Sequence, residues 1–101
     1  MTNPFDHQRL DDVIHSRIRL AIVAVLSAVD RAEFTYLREQ VNTSDGNLGT
    51  HLGKLEEAKY VAVEKKFVER KPVSYYRLTA QGRSAFKAYL KHLDALLKGG
   101  D

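Results

Sequence analysis

A short run of polar side chains in the middle of the chain carries hydrogen-bonding groups that can read the edges of nucleotide bases. Asparagine can bond adenine in two places, and serine or threonine can pair with several bases or touch the thymine methyl. We take four of these side chains as candidate base contacts, and Lys54, one turn further along, as a candidate phosphate contact. The four are Ser44, Asn47, Thr50 and His51.

The same stretch has the apolar spacing of a helix. Leu48, Leu52 and Leu55 recur every three or four residues, which places one apolar stripe on one helical face and leaves the polar side chains on the others. A helix of this kind, over about residues 45–59, suits the major groove of DNA. The alternative is an ordinary amphipathic surface helix. Asp45 would repel phosphate, so we expect it to cap the helix or to accept a hydrogen bond from cytosine.

Three glycines lie within this predicted helix. Gly46, Gly49 and Gly53 each cost an interior helical position about 1 kcal/mol relative to alanine. That cost requires a reason, and close approach to a DNA backbone or to a neighbouring helix would supply one.

Length and composition favour one domain over residues 1–101, with a core from about residue 8 to residue 97. The chain has 16 basic and 13 acidic residues, a formal charge of +3, which is compatible with nucleic acid but does not by itself indicate it. The N-terminus lacks the features of a secretory signal, and no segment approaches the roughly 18 continuous apolar residues of a membrane span. We therefore expect a soluble, cytoplasmic protein.

The residue inventory offers little for catalysis or cofactor binding. Cysteine is absent, which excludes disulfides, thiolate metal sites and cysteine nucleophiles. Serine, histidine and aspartate occur without a nucleophile elbow, and the glycines lie in a leucine-periodic helix rather than in a phosphate-binding loop. We predict no enzyme activity, no cofactor and no metal site, since none of the four histidines has another histidine four residues on. No small-molecule effector site is evident, although a cleft between dimer halves could hold one.

Helical patterns precede the central helix. Residues 6–14 read as a first helix, and residues 17–29, capped by Ser16, read as an apolar core helix. A very short strand at Glu33 and Phe34 leads to Thr35, the expected N-cap of a helix over residues 36–41. A link over residues 42–45 then makes a helix-turn-helix with the 46–60 helix. We expect Tyr36 and Arg38, on the shorter helix, to contact phosphates.

Past Tyr60 the apolar period changes to two. Residues 61–68 and 73–78 alternate and are rich in β-branched and aromatic side chains, with a turn at 69–72, which predicts a β-hairpin. Residues 64–72, called the wing below, hold four cations expected to bind flanking phosphates or a narrow minor groove. They are Lys65, Lys66, Arg70 and Lys71, with Arg70 as the expected groove residue. The alternative is a charged, solvated turn.

A last helix is predicted over about residues 80–98, with Thr79 as its cap and Gly99 at its end. Its apolar face is longer than the small core needs, and uncovered apolar surface of that extent usually marks an interface. We therefore expect a homodimer built from this helix and the first, whose interface residues are Leu10, Val13, Ile14, Phe86, Tyr89, Leu90, Leu93, Leu96 and Leu97. The alternative is packing of the two helices within one chain.

The ordered set of these motifs resembles the MarR/ArsR-like winged-helix transcriptional regulators, specifically the small stand-alone winged-helix type. The segments that carry the resemblance are residues 14–22, 34–37, 46–56 and 75–83, within a match from Leu10 to Leu93. The resemblance implies a mainly α fold with a β-hairpin wing, a winged helix-turn-helix. It also implies dimeric, sequence-specific binding to double-stranded DNA, usually for repression. Lys59 departs from the pattern, since relatives often have glycine there.

A second function stays open. A winged helix can also act as a protein-protein interaction module, docking a partner on its apolar last helix with little or no specific DNA binding. Affinity for DNA falls steeply with salt because counterions are released, whereas apolar docking responds little to salt. Salt dependence therefore separates the two.

Overall fold

Four α-helices and one three-stranded antiparallel sheet make up residues 3–99, the part of the chain that the computed structural model describes. The strand order is first, third, second, so the third strand is central. In chain order the elements are α1 (Arg17–Ser27), β1 (Ala32–Glu33), α2 (Phe34–Val41), α3 (Asp45–Glu57), β2 (Val61–Val68), β3 (Lys71–Leu78) and α4 (Ala80–Lys98). The predicted fold class, a winged helix-turn-helix, is confirmed.

The main core surrounds α1, as its apolar composition predicts. Ile22, Val23 and Leu26 are fully buried and pack with the apolar stripe of α3 and with Leu37 of α2. Burying each such side chain contributes about 1.5–3 kcal/mol, so this cluster holds α2 and α3 in their relative positions.

No described helix is long and apolar enough to cross a membrane.

Side-chain caps begin three of the helices. The side chains of Ser16, Ser44 and Thr79 accept hydrogen bonds from backbone amides three residues on, at the starts of α1, α3 and α4. Each cap satisfies an amide that has no partner within the helix. The predicted caps Ser16 and Thr79 are confirmed, as is the extent of α4.

The start of α2 differs from its prediction. This helix begins at Phe34, and its N-cap is Glu33, which makes no side-chain capping bond, so Thr35 is not the cap. The reason is the sheet: Ala32 and Glu33 pair with Tyr76 and Tyr75 of β3. The chain therefore turns from strand into helix earlier than local sequence indicates.

The prediction of a first helix over residues 6–14 is wrong. Between residues 6 and 14 the only helical element is one 3-10 turn, His7–Arg9. The carboxylate of Asp11 accepts hydrogen bonds from the backbone amides of Val13 (2.8 Å) and Ile14 (3.2 Å). Such local side-chain bonds offer the backbone an alternative to helix, so residues 10–16 form turns that lie against α4.

Helix α3 ends at Glu57, earlier than expected, in a Schellman motif. The amide of Lys59 bonds the carbonyl of Glu56 (2.9 Å), and the amide of Tyr60 bonds that of Leu55 (3.0 Å). Lys59 has a φ of 68°, so this lysine adopts the left-handed conformation that favours glycine.

The hairpin turn is tighter than predicted. Only Glu69 and Arg70 connect the strands, and both have positive φ (50° and 67°), which is the type I′ geometry that matches strand twist. Lys71 and Pro72 belong to β3. Pro72 pairs with Phe67, next to the turn-closing pair, where the missing amide points away from β2, and β1 does not reach that far along the strand.

Candidate nucleic-acid interface

The predicted base-contacting residues share the outward side of α3. The inward side is fixed by Leu48, Leu52 and Leu55, each at most 1% exposed. The outward side chains that are exposed are those of Ser44, Asn47, Thr50 and Lys54, while His51 is half-buried at the edge of the helix. The fold therefore brings the predicted residues together on one surface.

The N-terminus of this helix presents polar groups to solvent. Ser44 caps it by accepting from the amide of Asn47 (3.2 Å), and the side chain of Asn47 is exposed one turn further on. The positive end of the helix dipole lies at the same place. An approaching anion therefore meets favourable partial charge as well as hydrogen-bond donors.

Asp45 is engaged by Arg38 from α2. Their side chains form an ion pair at 2.9 Å, and this hydrogen bond is the largest cause that raises the pKa of Arg38. Because Ser44 is the cap, the capping role expected for Asp45 is wrong. The pair neutralises the carboxylate that would otherwise repel phosphate. Arg38 is then less available for the phosphate contact expected of it. Tyr36, on the same helix, is 44% exposed.

His51 is held from behind by α1. A guanidinium nitrogen of Arg19 lies 2.8 Å from Nδ1 of His51, and Nε of Arg19 donates to the carbonyl of Val13 at 2.5 Å. Burial, followed by the nearby charges of Arg19 and Lys54, lowers the pKa of His51 below its ordinary value. Arg19 was not among the predicted site residues, because no sequence spacing indicates a contact between residues 32 positions apart.

The three glycines of α3 leave bare backbone on its outer surface. Gly46 and Gly49 are exposed and Gly53 is partly so. A Cβ built at any of the three would meet nothing within 4 Å. A neighbouring helix of the described chain therefore does not account for these glycines. An open strip of helix backbone remains, flanked by Thr50 and available to a partner outside the chain.

The two faces of the wing carry different cations. Lys65 shares its face with Phe67, and this face continues the inward side of the sheet, whereas Lys66 points to the other side. Nζ of Lys66 lies 2.8 Å from the carboxylate of Glu64, so this predicted contact is already paired. Arg70 is at the turn and Lys71 follows it, and both are exposed.

Two features in and beside the hairpin were not predicted from the sequence. Phe67 is 80% exposed near the tip of the hairpin. Arg31 lies over the ring of Tyr75, 4.1 Å from its centroid, and 3.8 Å from the carboxylate of Glu64. The pairing of β1 with β3 creates this contact, and local sequence gives no signal of it.

The predicted dimer residues fall into two groups. Leu10, Ile14 and Tyr89 are 8%, 0% and 2% exposed and pack together within the chain. Leu90 and Leu97 of α4 are 47% and 76% exposed. The remaining members are partly buried: Val13, Phe86, Leu93 and Leu96.

No group of three or more histidine, aspartate or glutamate residues within residues 3–99 is placed to hold a metal ion. Two of the histidines have other partners. Nδ1 of His15 lies 2.8 Å from the hydroxyl of Tyr89, and His51 contacts Arg19.

Comparison with known proteins supplies the family. Residues 18–97 match the family model described as a winged helix DNA-binding domain. An uncharacterised protein of Methanocaldococcus jannaschii is 37% identical over 86 residues, covering 85% of this chain and 94% of that protein.

Solved structures agree with this match. A transcriptional regulator homologue from Pyrococcus horikoshii is similar with a TM-score of 0.81, 27% identity and 88% of each chain covered. A MarR-family protein from Enterococcus faecalis shares the fold, with a TM-score of 0.72, 22% identity, and 85% of this chain and 76% of that one covered. The chain therefore belongs to the winged-helix DNA-binding domain family of transcriptional regulators.

Proposed function

We propose that this chain, as a single domain over residues 1–101, is a sequence-specific DNA-binding transcriptional regulator that acts as a homodimer and represses its target genes. Helix α3 would enter the major groove, and the wing would bind flanking DNA. Two such helices related by twofold symmetry would meet successive major grooves about 34–36 Å apart.

The observation that carries this proposal is the outer surface of α3. Polar side chains capable of base contact lie there beside bare glycine backbone, and the helix tolerates about 1 kcal/mol of lost propensity at each glycine. No steric contact within the described chain requires glycine at these three positions. Close approach of a DNA backbone would explain them, since each omitted side chain lets the helix sit deeper in a groove.

The wing supports the same proposal through charge. Lys65, Arg70 and Lys71 are exposed on a hairpin that projects from the body of the domain. Each phosphate that such a cation neutralises releases counterions, which gives affinity without sequence preference. The polar groups of α3 would then supply the preference for particular bases.

The dimer is supported by the exposed leucines of α4. Leu90 and Leu97 are seven residues apart, hence on one side of the helix, next to the partly buried Leu93. Association of two copies through this side would bury an apolar stripe that the chain's own N-terminal segment leaves open. Repression would follow if the operator overlaps a promoter.

Selection of random duplex DNA by the purified protein, at moderate salt and with excess nonspecific competitor, tests the proposal. Sequencing should recover an inverted repeat with half-sites about 10 base pairs apart. Absence of enrichment, from a protein shown to be folded, would contradict the proposal. Recovery of a single half-site would retain DNA recognition and contradict the homodimer.

The same exposed leucines favour a second candidate, a module that docks a protein partner on α4 and binds DNA weakly or not at all. Salt separates the two functions, because only DNA binding loses affinity steeply between low and moderate salt. Replacing Lys65, Lys66, Arg70 and Lys71 together by glutamine should abolish DNA binding and leave partner docking unchanged.

A further inference from the structure

A hydrogen bond between two helices fixes the chemical form of one candidate base-reading side chain. Arg19 in the first turn of α1 reaches His51 of α3, with 2.8 Å between a guanidinium nitrogen and Nδ1. Guanidinium has donors only and stays protonated at any pH the protein meets. Nδ1 of His51 must therefore accept, and the proton of the neutral ring must lie on Nε2.

Arg19 is itself held in place. Its Nε donates to the carbonyl of Val13 at 2.5 Å, so the guanidinium is anchored to the turn that precedes α1. The side chain thus bridges the N-terminal segment and the recognition helix. A bridge with two fixed ends orients the imidazole ring, which would otherwise rotate and exchange tautomers.

We infer that Arg19 is a positioning residue for DNA reading, which holds His51 as an Nε2–H donor directed at a hydrogen-bond acceptor of the DNA. The acceptors available in the major groove are guanine O6 and N7, adenine N7 and thymine O4. Cytosine presents a donor there, its amino group, and so cannot accept a hydrogen bond from Nε2–H of His51. This inference rests on the proposed function, since it assigns a role to one residue of the DNA-binding surface.

The charges around His51 favour the same neutral form. Arg19 from α1 and Lys54 from α3 both disfavour a second proton on the ring, as does its partial burial. Two carboxylates, Asp12 and Glu57, line the same hollow as Arg19 and Lys54. Protonation at low pH would set two donors against each other and break the bond to Arg19.

The first test needs no DNA. Nitrogen-15 NMR of the histidine rings in the free full chain distinguishes protonated from unprotonated nitrogens, and His51→Gln assigns the signals. At pH 8 we expect Nδ1 of His51 to be unprotonated and Nε2 protonated, with a tautomer mixture in Arg19→Met. Arg19→Lys, which retains a cationic donor, should restore part of the fixed tautomer. A mixture in the unchanged protein would overturn the inference.

The second test is a double-mutant cycle on the selected duplex, measured by fluorescence anisotropy. Arg19→Met and His51→Ala should each lower affinity about tenfold, the effect of one hydrogen bond, and the double variant should lose little more than either. Additive losses would show that Arg19 contacts phosphate directly and would overturn the positioning role. Arg17→Met, which removes an exposed charge from the same helical turn, controls for charge, and thermal unfolding confirms that each variant folds.

The two tests distinguish failure of the inference about Arg19 from failure of the proposed function. A fixed tautomer in a protein that binds no duplex contradicts the proposed function and, with it, the reading role of His51. A protein that binds its duplex with an unfixed His51 leaves the proposed function standing and overturns the inference about Arg19.

Discussion

Lys59 ends α3 in a backbone conformation that glycine adopts at lower cost. Its φ of 68° places a Cβ-bearing residue in the left-handed region, which costs about 1–2 kcal/mol, whereas glycine has an entropic cost of about 0.4–1 kcal/mol. We expect Lys59→Gly to raise the free energy of unfolding by about 1 kcal/mol in urea denaturation. Lys59→Ala removes the same side chain and retains the strain, so equal stability of the two variants would contradict this account.

Tyr60, the next residue, predicts a pH dependence of stability. Its hydroxyl donates to Oδ2 of Asp11 at 2.5 Å, and this bond is the largest cause that raises the pKa of Tyr60 to about 12. Because the folded pKa exceeds the ordinary 10.0, the stabilisation is fully present below pH 10 and is lost as pH rises through about 12.

Tyr60→Phe should therefore lower the free energy of unfolding by about 2 kcal/mol at pH 7, the value of a hydrogen bond to a charged group. The difference between the two proteins should shrink towards zero between about pH 10 and pH 12. Urea denaturation across this range measures it. Tyr36→Phe removes a hydroxyl from an exposed tyrosine and should have no effect; a constant difference for Tyr60→Phe would contradict the assignment.

At the scale of the element, α3 predicts opposite changes in stability and binding. Replacing Gly46, Gly49 or Gly53 by alanine meets no steric obstacle within the chain, so each variant should be more stable by up to about 1 kcal/mol. Each should also bind the selected duplex more weakly, because the added methyl group holds the helix away from the groove. Urea denaturation and fluorescence anisotropy measure the two effects.

Loss of binding in a stabilised variant cannot result from unfolding, which makes this pair of measurements decisive. Greater stability with unchanged affinity would show that the glycine strip does not face DNA. It would leave the polar side chains as the only candidates for contact on α3.

The wing predicts unequal effects of its cations. Lys66 is paired with Glu64 at 2.8 Å, whereas Lys65, Arg70 and Lys71 are exposed. Replacing those three by glutamine should reduce the slope of log affinity against log salt by about 0.9 for each phosphate that is no longer neutralised. Lys66→Gln is the matched control and should change the slope little. An equal effect per residue would show that DNA displaces the ion pair.

The elements differ in how far sequence predicted them, for a physical reason. Helix α4 is predictable from cap to cap, because the Thr79 side chain accepts from the amide of Gly82 and the amide of Gly99 donates to the carbonyl of Ala95, both through local chemistry. Residues 6–14 were predicted as helix and form turns, because the Asp11 carboxylate bonds the amides of Val13 and Ile14. Apolar periodicity does not show that a side chain competes with the helix for the backbone amides.

At the scale of the whole molecule, the contacts that sequence could not predict join distant segments. Arg19 meets His51 only because α1 packs on α3, and Arg31 meets Tyr75 only because β1 pairs with β3. Three-dimensional packing also separates the predicted dimer residues, since Tyr89 turns inward towards the N-terminal segment while Leu90, its neighbour, is 47% exposed.

The division of these residues into buried and exposed ones predicts which substitutions disrupt the proposed dimer. Leu90 and Leu97 are 47% and 76% exposed, so burying the exposed part of both leucines in both copies would contribute about 4–7 kcal/mol, which lies within the roughly 4–15 kcal/mol that association costs. Replacing both leucines by glutamine should therefore convert a dimer into a monomer in sedimentation analysis. The affinity of this double variant for an inverted repeat should then fall to the affinity for one half-site, because each copy binds alone.

The matched control is Val68→Gln, which removes a side chain of similar exposure (43%) from the wing rather than from α4. It should remain dimeric. A double-leucine variant that is still a dimer would place the interface elsewhere, with the partly buried Phe86 and Leu93 as the next residues to change. An unchanged protein that is a monomer both free and on its duplex would contradict the homodimer and would leave these leucines to a different protein partner.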